Sequence, residues 1–225
     1  MSDLLDPSID PTRLLSLGCA SVFFGVCLKL SDLLQEHGYS WFRGSVLVMG
    51  CLSGLTAVAM LALGSIDLHH LWLVVVVTWI IRGRIDGLNH GVMAASVILF
   101  HGFTTPQIVT KPELALYFTL TLLPLGLLHD ALQYSHTNAH AWLRWFFRNQ
   151  HLYWYLIALG YLGLFSRNLE VPISIYTFVK GYGFLYDGRR DGWLRRLGIQ
   201  CPAVEQGSAG ELVGEESPEK KIHSP

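Results

Sequence analysis

Apolar residues cluster into seven segments along the chain, and short polar stretches separate them. The segments lie near residues 14–30, 45–64, 68–81, 88–103, 114–128, 152–165 and 171–186. The segment 45–64 contains no charged residue, and about twenty apolar residues are needed to cross ~30 Å of hydrocarbon. Seven such segments in succession predict an all-α, polytopic membrane protein with about seven transmembrane helices. Several segments are shorter than a usual span, which leaves five or six spans as alternatives.

Composition favours this prediction over a soluble helical bundle. Hydrophobic residues make up 51% of the chain, and Asp, Glu, Lys and Arg together only 15%. A soluble domain carries about 25% charged residues, so this chain has too little charge to cover a water-facing surface. The net charge of −1 gives no indication of a nucleic-acid partner, and membrane lipid is the partner that we expect.

Basic residues set the expected orientation. If the N-terminus lies outside, the inside connections hold most of the arginines: Arg43, Arg82, Arg84, Arg144, Arg148, Arg189, Arg190, Arg195 and Arg196. The outside segments hold only Arg13, Lys111 and Arg167. Because short loops rich in Lys and Arg stay in the cytoplasm, this alternation predicts an odd number of spans and a cytoplasmic C-terminus. In a prokaryote, such a multi-pass protein would lie in the inner or plasma membrane.

The apolar segments divide the chain into four parts. Residues 1–13 form a short extracytoplasmic tail, 14–186 the transmembrane domain, 187–199 a basic juxtamembrane segment and 200–225 a polar tail. The tail is rich in Gly, Ser, Pro and Glu, which predicts disorder. In the juxtamembrane segment, arginines surround Trp193, and we expect this sequence to bind anionic lipid headgroups.

Two details of the first two segments bear on packing. Lys29 and Asp32 end the first segment, where long side chains can reach the membrane interface. Gly50 and Gly54 form a Gly-x-x-x-Gly pair in the second. This spacing permits close backbone approach between membrane helices.

Histidines recur after the fifth segment, in the sequence LLHDALQYSHTNAHAWLRWFFRNQH. His129, Gln133, His136 and His140 fall on one face of a continuing helix. His136 and His140 form an H-x-x-x-H pair, which places two imidazoles together, and zinc and iron both accept imidazole ligands. Asp86 and His90 are likewise four residues apart near the fourth segment.

The predicted topology brings these polar groups to one membrane face, where they could form a catalytic site. We expect Asp86, His90, His136 and His140 to bind a divalent metal, zinc or iron, with His129 or Asp130 as general acid and base. Arg82, Arg84, Arg144 and Arg148 would hold an anionic headgroup. The sequence thus favours a metal-assisted enzyme that acts on a lipid, isoprenoid or lipid-linked phosphate at the cytoplasmic face.

Lys180 leaves other functions open. It lies near the middle of the last segment, where a lysine costs about 2.5–3.5 kcal/mol on insertion scales. It is therefore either a substrate-binding residue or a side chain that reaches the interface. A proton-coupled carrier would use Lys180 and His129 along a central path, and a non-catalytic assembly subunit would need neither residue.

One short motif resembles a known family. The stretch Lys180-Gly181-Tyr182-Gly183-Phe184 is similar to the sequence after the retinal lysine in microbial rhodopsins. The position four residues before Lys180 is Tyr176 instead of a carboxylate, however. The motifs therefore identify no family.

Overall fold

The computed structural model describes residues 10–85, 87–104, 111–134, 150–165, 168–185 and 190–201. These residues form eight α-helices: α1 (Pro11–Glu36), α2 (Ser45–Leu63), α3 (Ile66–Ile81), α4 (Leu88–Thr104), α5 (Pro112–Tyr134), α6 (Gln150–Leu164), α7 (Glu170–Phe184) and α8 (Arg190–Arg196). No strand occurs in these ranges, and Ser40 and Gln200 form an isolated antiparallel bridge.

The predicted helical class is confirmed for the described residues, because each apolar segment falls on one of the helices α1 to α7. Three helices have the length and hydropathy of a membrane span, at Pro11–Glu36, Ser45–Leu63 and Pro112–Leu132. Ile66–Ile81 and Leu152–Leu164 are shorter apolar helices. The chain is therefore an all-helical protein with three candidate membrane spans.

The helices pack into one bundle with an aromatic centre. α1 lies between α2 and α7, α2 contacts α4, α3 contacts α4 and α5, and α6 contacts α5 and α7. Phe24 of α1, Trp72 of α3 and Phe178 of α7 meet with ring centroids 4.8 to 5.0 Å apart. All three rings are buried, and such contacts stabilise beyond the area that they bury.

Large apolar side chains cover the outer surface of all seven long helices. One exposed example from each helix is Phe23, Leu55, Ile81, Leu99, Leu120, Leu159 and Phe184. Polar groups lie inside instead, where Ser21 Oγ and Ser174 Oγ are 3.0 Å apart. Soluble monomers rarely expose apolar surface continuously, so this distribution fits a bundle surrounded by lipid.

Glycines bring neighbouring helices into backbone contact at two seams. A Cβ on Gly25 or Gly181 would collide with the backbone of the opposite helix where α1 packs on α7. A Cβ on Gly50 would lie 3.0 Å from the Cα of Asn89 in α4, and Gly54 also faces α4. The close approach predicted from the Gly-x-x-x-Gly pair is thus confirmed between α2 and α4.

Helix α1 is longer than the segment that predicted it. It begins after Asp10, whose side chain accepts a hydrogen bond from Thr12 N at 2.9 Å and so caps the helix. It continues to Glu36, past Lys29 and Asp32. These two side chains are only 3% and 5% exposed, because the neighbouring helices surround them with polar and aromatic groups. They therefore lie inside the bundle instead of reaching toward water.

Candidate functional site

The bundle has two ends, which differ in the polar groups that they hold. The Asp32 end contains the C-terminal ends of α1, α3, α5 and α7 and the N-terminal ends of α2 and α4. The Asp67 end contains the opposite ends of these helices. The Asp32 end also holds Arg43, Arg82 and Arg84, which are the three arginines between residues 40 and 90, and Asp130 lies beside two of them.

Asp32 is the centre of a polar cluster formed by three helices. Tyr182 of α7 donates its hydroxyl hydrogen to Asp32 Oδ2 at 2.7 Å. His90 Nε2 of α4 lies 2.9 Å from Asp32 Oδ1, and Asn89 Nδ2 donates to the same oxygen at 3.4 Å. A buried carboxylate needs such partners to offset the loss of water. Its partners here are neutral donors and a histidine instead of an arginine or a lysine.

Glu36 lies one helical turn after Asp32 and completes a set of three metal-ligand side chains. Its Oε1 is 3.8 Å from His90 Nδ1, and its side chain is 41% exposed. The ligand atoms of Asp32, Glu36 and His90 all lie within 4.8 Å of one another. Two ligands of an octahedral ion with bonds of ~2.1 Å lie about 3 Å apart. The cluster therefore has the donor types of a divalent-metal site, and its three ligand atoms are near enough to one another that they could hold one ion.

The surroundings of this cluster are also polar. Lys29 Nζ lies 4.9 Å from the centroid of the Tyr182 ring. Gln35 Oε1 accepts a hydrogen bond from Asn89 N at 3.4 Å. Within the described ranges, the buried Asn89 Oδ1 has no hydrogen-bond partner. Such an atom costs ~1–3 kcal/mol when it stays unsatisfied, so a ligand with a donor hydrogen would be stabilised here.

A second cluster at the same end joins α3 to α5. Arg82 donates to both oxygens of Asp130, from Nε and Nη2 at 2.8 Å each, and Arg84 also donates to Asp130. The Arg82 side chain is 8% exposed and that of Asp130 18%, while Arg84 is 32% exposed. The Arg82 guanidinium lies against Gly126, where a Cβ would overlap it. Both arginines thus contact the same carboxylate, that of Asp130.

The other predicted site residues in the described ranges occupy different surroundings. His129 is 7% exposed, and its ring centroid lies 6.2 Å from that of Tyr153. Lys180 is exposed on the outer surface of α7, with Nζ 5.4 Å from the Tyr176 ring. The remaining predicted residues lie outside the described residues: Asp86, His136, His140, Arg144 and Arg148.

His90 was predicted from the sequence as a metal ligand, but its neighbours Asp32 and Glu36 on α1 were not. The sequence interpretation treated Asp32 as the end of a span and did not single out Glu36 or Tyr182. A signal was nevertheless present, because Lys29, Asp32 and Glu36 follow one another at helical spacing. Three polar residues on one face of an apolar helix indicate a polar partner on a neighbouring helix.

At the Asp67 end, the cations are paired with buried carboxylates. Asp67 accepts hydrogen bonds from Lys111 Nζ at 2.5 Å and from Tyr161 at 2.6 Å. Glu170 Oε1 lies 3.2 Å from Arg13 Nη2, and Glu170 Oε2 accepts from Ser65 N at 2.5 Å. These pairs hold α3 to the start of α5 and α1 to the start of α7.

Histidines also lie at the Asp67 end, next to these pairs. His69 Nε2 is 2.7 Å from Leu61 O, and the rings of His69 and His101 meet at 5.2 Å. His101 is 2% exposed, and neither ring nitrogen has a hydrogen-bond partner among the described residues. Among those residues, the three-ligand group at Asp32, Glu36 and His90 is the arrangement suited to a metal.

Comparisons of the chain with models of protein families, with curated proteins and with solved structures find no match.

Proposed function

We propose that the chain is a multi-pass membrane enzyme that performs metal-assisted chemistry on a lipid, isoprenoid or lipid-linked phosphate at the cytoplasmic face. The observation that carries this proposal is the convergence of Asp32, Glu36 and His90. It occurs at the end of the bundle that also holds Arg82 and Arg84, both of which contact Asp130. A metal and a phosphate group would thus find their ligands at the same membrane face.

In this proposal, all of α1 to α7 cross the membrane, with the N-terminus outside. The apolar outer surfaces of the shorter helices support this, since Ile81, Leu99, Leu159 and Phe184 are exposed. A helix of 15 residues, such as α7, is about 22 Å long, less than the ~30 Å hydrocarbon core. Local thinning and flanking aromatic or basic residues accommodate such a mismatch. The parts 1–13, 14–186, 187–199 and 200–225 keep their predicted roles.

Asp32, Glu36 and His90 would hold the metal ion. Glu36 is partly exposed, which gives the ion a path of entry, while Asp32 is fixed by Tyr182 and Asn89. Hydrogen bonds from neighbouring groups to the ligands are a regular feature of metal sites. Asn89 Oδ1 would accept a hydrogen bond from a water on the ion. Asp86, His136 and His140 stay sequence predictions as further ligands.

The reaction that fits these groups is hydrolysis of a phosphate ester. A bound divalent ion would lower the pKa of its water and polarise the phosphoryl oxygen. The water oxygen forms a bond to phosphorus, the bond from phosphorus to the lipid oxygen breaks, and the lipid alcohol leaves with a proton. His129 stays the proposed acid–base group. Asp130 is better placed to fix Arg82 and Arg84 for the phosphate.

Metal binding by purified protein tests the proposal. The chain is reconstituted into nanodiscs, incubated with zinc, iron or manganese, desalted, and analysed by inductively coupled plasma mass spectrometry. We expect a stoichiometric ion in the wild type and its loss in Asp32→Asn and His90→Gln. Asp10→Asn is the matched control, because Asp10 is exposed and Asn also caps helices well.

The same samples should release phosphate from a lipid phosphate only when the metal is bound. Equal metal retention in the wild type, Asp32→Asn and His90→Gln would contradict the proposed ligands. A wild type that binds no metal would contradict the proposed chemistry. The variant His136→Ala/His140→Ala tests the predicted additional ligands in the same way. The carrier hypothesis gains no support from the geometry, since Lys180 lies on the outer surface of α7.

A further inference from the structure

The segment after α7 folds back onto the Asp32 end. Leu194 of α8 is fully buried and Ile199 is 1% exposed. Both pack in a cluster with Leu33, Leu34 and Tyr39 from the end of α1 and the turn that follows. α8 and the connection between α1 and α2 therefore form one unit.

Backbone hydrogen bonds fix this unit. Ser40 N donates to Gln200 O at 3.0 Å, and Gln200 N donates to Ser40 O at 2.7 Å. A Cβ on Gly198 would lie 3.8 Å from Trp41 Nε1, so the Trp41 indole sits beside the residues that follow α8. Two stretches of chain far apart in sequence thus share one surface.

The outer face of this unit carries exposed aromatic and basic side chains. Trp41 is 38% exposed, Phe42 46% and Trp193 47%, and Arg43, Arg195 and Arg196 are exposed as well. We call these six residues the aromatic–basic surface. None of its three arginines forms an ion pair within the part of the chain that the structure describes.

We propose that the aromatic–basic surface binds the anionic headgroups of the lipid leaflet next to the Asp32 end. This inference rests on the membrane location given under the proposed function, but it does not depend on the metal. Aromatic rings of this kind favour headgroup depth, and each arginine near an anionic surface strengthens lipid association about five-fold. The arginines gain nothing from a neutral surface, so the charge selects anionic lipids.

The surface adjoins the apolar exterior of the helices, which identifies the bilayer as its occupant. Phe184 at the end of α7 is 57% exposed and contacts Trp193, with ring centroids 5.8 Å apart. Leu47 in the first turn of α2 is 47% exposed and follows Arg43 by one turn. The basic groups are thus continuous with surface that lipid chains would cover.

Electron spin resonance with spin-labelled lipids tests this proposal on the full chain in bilayers of phosphatidylcholine. The relative association of spin-labelled phosphatidylglycerol over phosphatidylcholine is measured at low and high salt. We expect a several-fold preference for the anionic lipid in the wild type. The preference should disappear in Arg43→Gln/Arg195→Gln/Arg196→Gln and at high salt. The matched control, Arg43→Lys/Arg195→Lys/Arg196→Lys, keeps the charge and should keep the preference.

Three results would overturn the proposal. The first is an anionic preference that is the same in the Gln variant and the wild type, and the second is no preference in the wild type. The third is a Gln variant that changes the monomer–dimer equilibrium and leaves lipid association unchanged, since a second copy would then be the occupant. Amide exchange at Ser40 and Gln200 verifies that the segment stays docked.

The test also separates this proposal from the proposed function. Asp32→Asn should lose the metal and keep the anionic preference. Loss of the preference in the arginine variant alone would leave the metal site unaffected. A chain that fails to incorporate into bilayers would contradict the membrane location itself.

Discussion

At the Asp67 end, the buried carboxylates of Glu170 and Asp67 pair with Arg13 and Lys111. At the Asp32 end, the buried carboxylate of Asp32 contacts a histidine, a tyrosine and an amide instead. An arginine or lysine neutralises its partner and leaves little charge for a ligand. Neutral donors hold a carboxylate in place without cancelling its charge. The difference supports the proposal that the Asp32 end binds a cation, whereas the ion pairs of the Asp67 end fasten helices together.

Arginines show the same difference between the ends. Arg82 and Arg84 share the single carboxylate of Asp130, and the arginines of the aromatic–basic surface have no described carboxylate partner. Most of the described arginines therefore lie at the Asp32 end. The positive-inside tendency accounts for part of this asymmetry, but it does not require that Arg82 be buried and held by two hydrogen bonds.

The largest expected effect comes from Gly181→Ala, which disturbs both ends together. Gly181 packs against the backbone of Val22, and overpacking of this kind costs ~3 kcal/mol or more when the backbone must move. Gly163→Ala is the matched control, since a Cβ there meets nothing within 4 Å. We expect the unfolding temperature in detergent to fall strongly for Gly181→Ala and to change little for Gly163→Ala. Equal shifts would contradict the close packing of α1 on α7.

The next effect is expected from Asp130→Asn, which removes the carboxylate that Arg82 and Arg84 share. Removing one partner of a buried ion pair costs ~3–5 kcal/mol. Asp130 is partly exposed, so we expect ~2–3 kcal/mol in the free energy of unfolding. Glu113→Gln, an exposed acid at the opposite end of the same helix, should change it little. Denaturant titration in mixed micelles measures the free energy of unfolding of both variants. A loss in Glu113→Gln as large as that in Asp130→Asn would contradict a specific role of the Asp130 ion pairs.

Asp32→Asn should cost less stability but abolish metal binding. Asn can still accept the Tyr182 hydrogen bond, so we expect a loss of ~1–2 kcal/mol from the weakened contacts with His90. Metal affinity should fall far more, because the amide lacks the negative charge. Isothermal titration with zinc or manganese measures the second effect. An Asn variant with unchanged affinity would show that Asp32 is structural only.

The smallest effect is expected from Glu170→Gln at the opposite end. It weakens the contact with Arg13, which is 48% exposed, so the cost should be ~1 kcal/mol or less. Metal and lipid binding should stay as in the wild type. A Glu170→Gln variant that lost its metal would contradict the separation of the two ends.

Helix positions could be predicted from the sequence because long apolar runs need little more than their own composition to form membrane helices. The ends of the helices were less predictable. α1 continues to Glu36 and α5 to Tyr134, beyond the segments 14–30 and 114–128. Tertiary contacts extend both helices, since Asp32 and Asp130 find their partners on other helices and need not mark the edge of the hydrocarbon.

The candidate site could be predicted only in part for the same reason. Periodicity within one helix singled out His90 together with Asp86, which lies outside the described residues, and the structure adds Asp32 and Glu36 from α1 as neighbours of His90. Pairing between helices depends on how they pack, and no pattern within one segment encodes that. The aromatic–basic surface likewise joins residues 41–43 to α8. The sequence predicted lipid binding only for the basic segment that contains α8.

Accessibility of single cysteines tests most directly the claim that the two ends face opposite sides of a membrane. In a background without native cysteines, exposed sites at the start of α1, near four of the six connections between α1 and α7, and in α8 are replaced one at a time. Each variant is treated with a membrane-impermeant maleimide in intact cells and in inverted vesicles. The sites are Thr12, His37, Thr104, Ala131, Phe165 and Gly192. We expect Thr12, Thr104 and Phe165 to react from outside, and His37, Ala131 and Gly192 only from inside. Labelling of Phe165 from the same side as Ala131 and Gly192 would contradict seven spans, and labelling of Thr12 and His37 from one side would contradict the account as a whole.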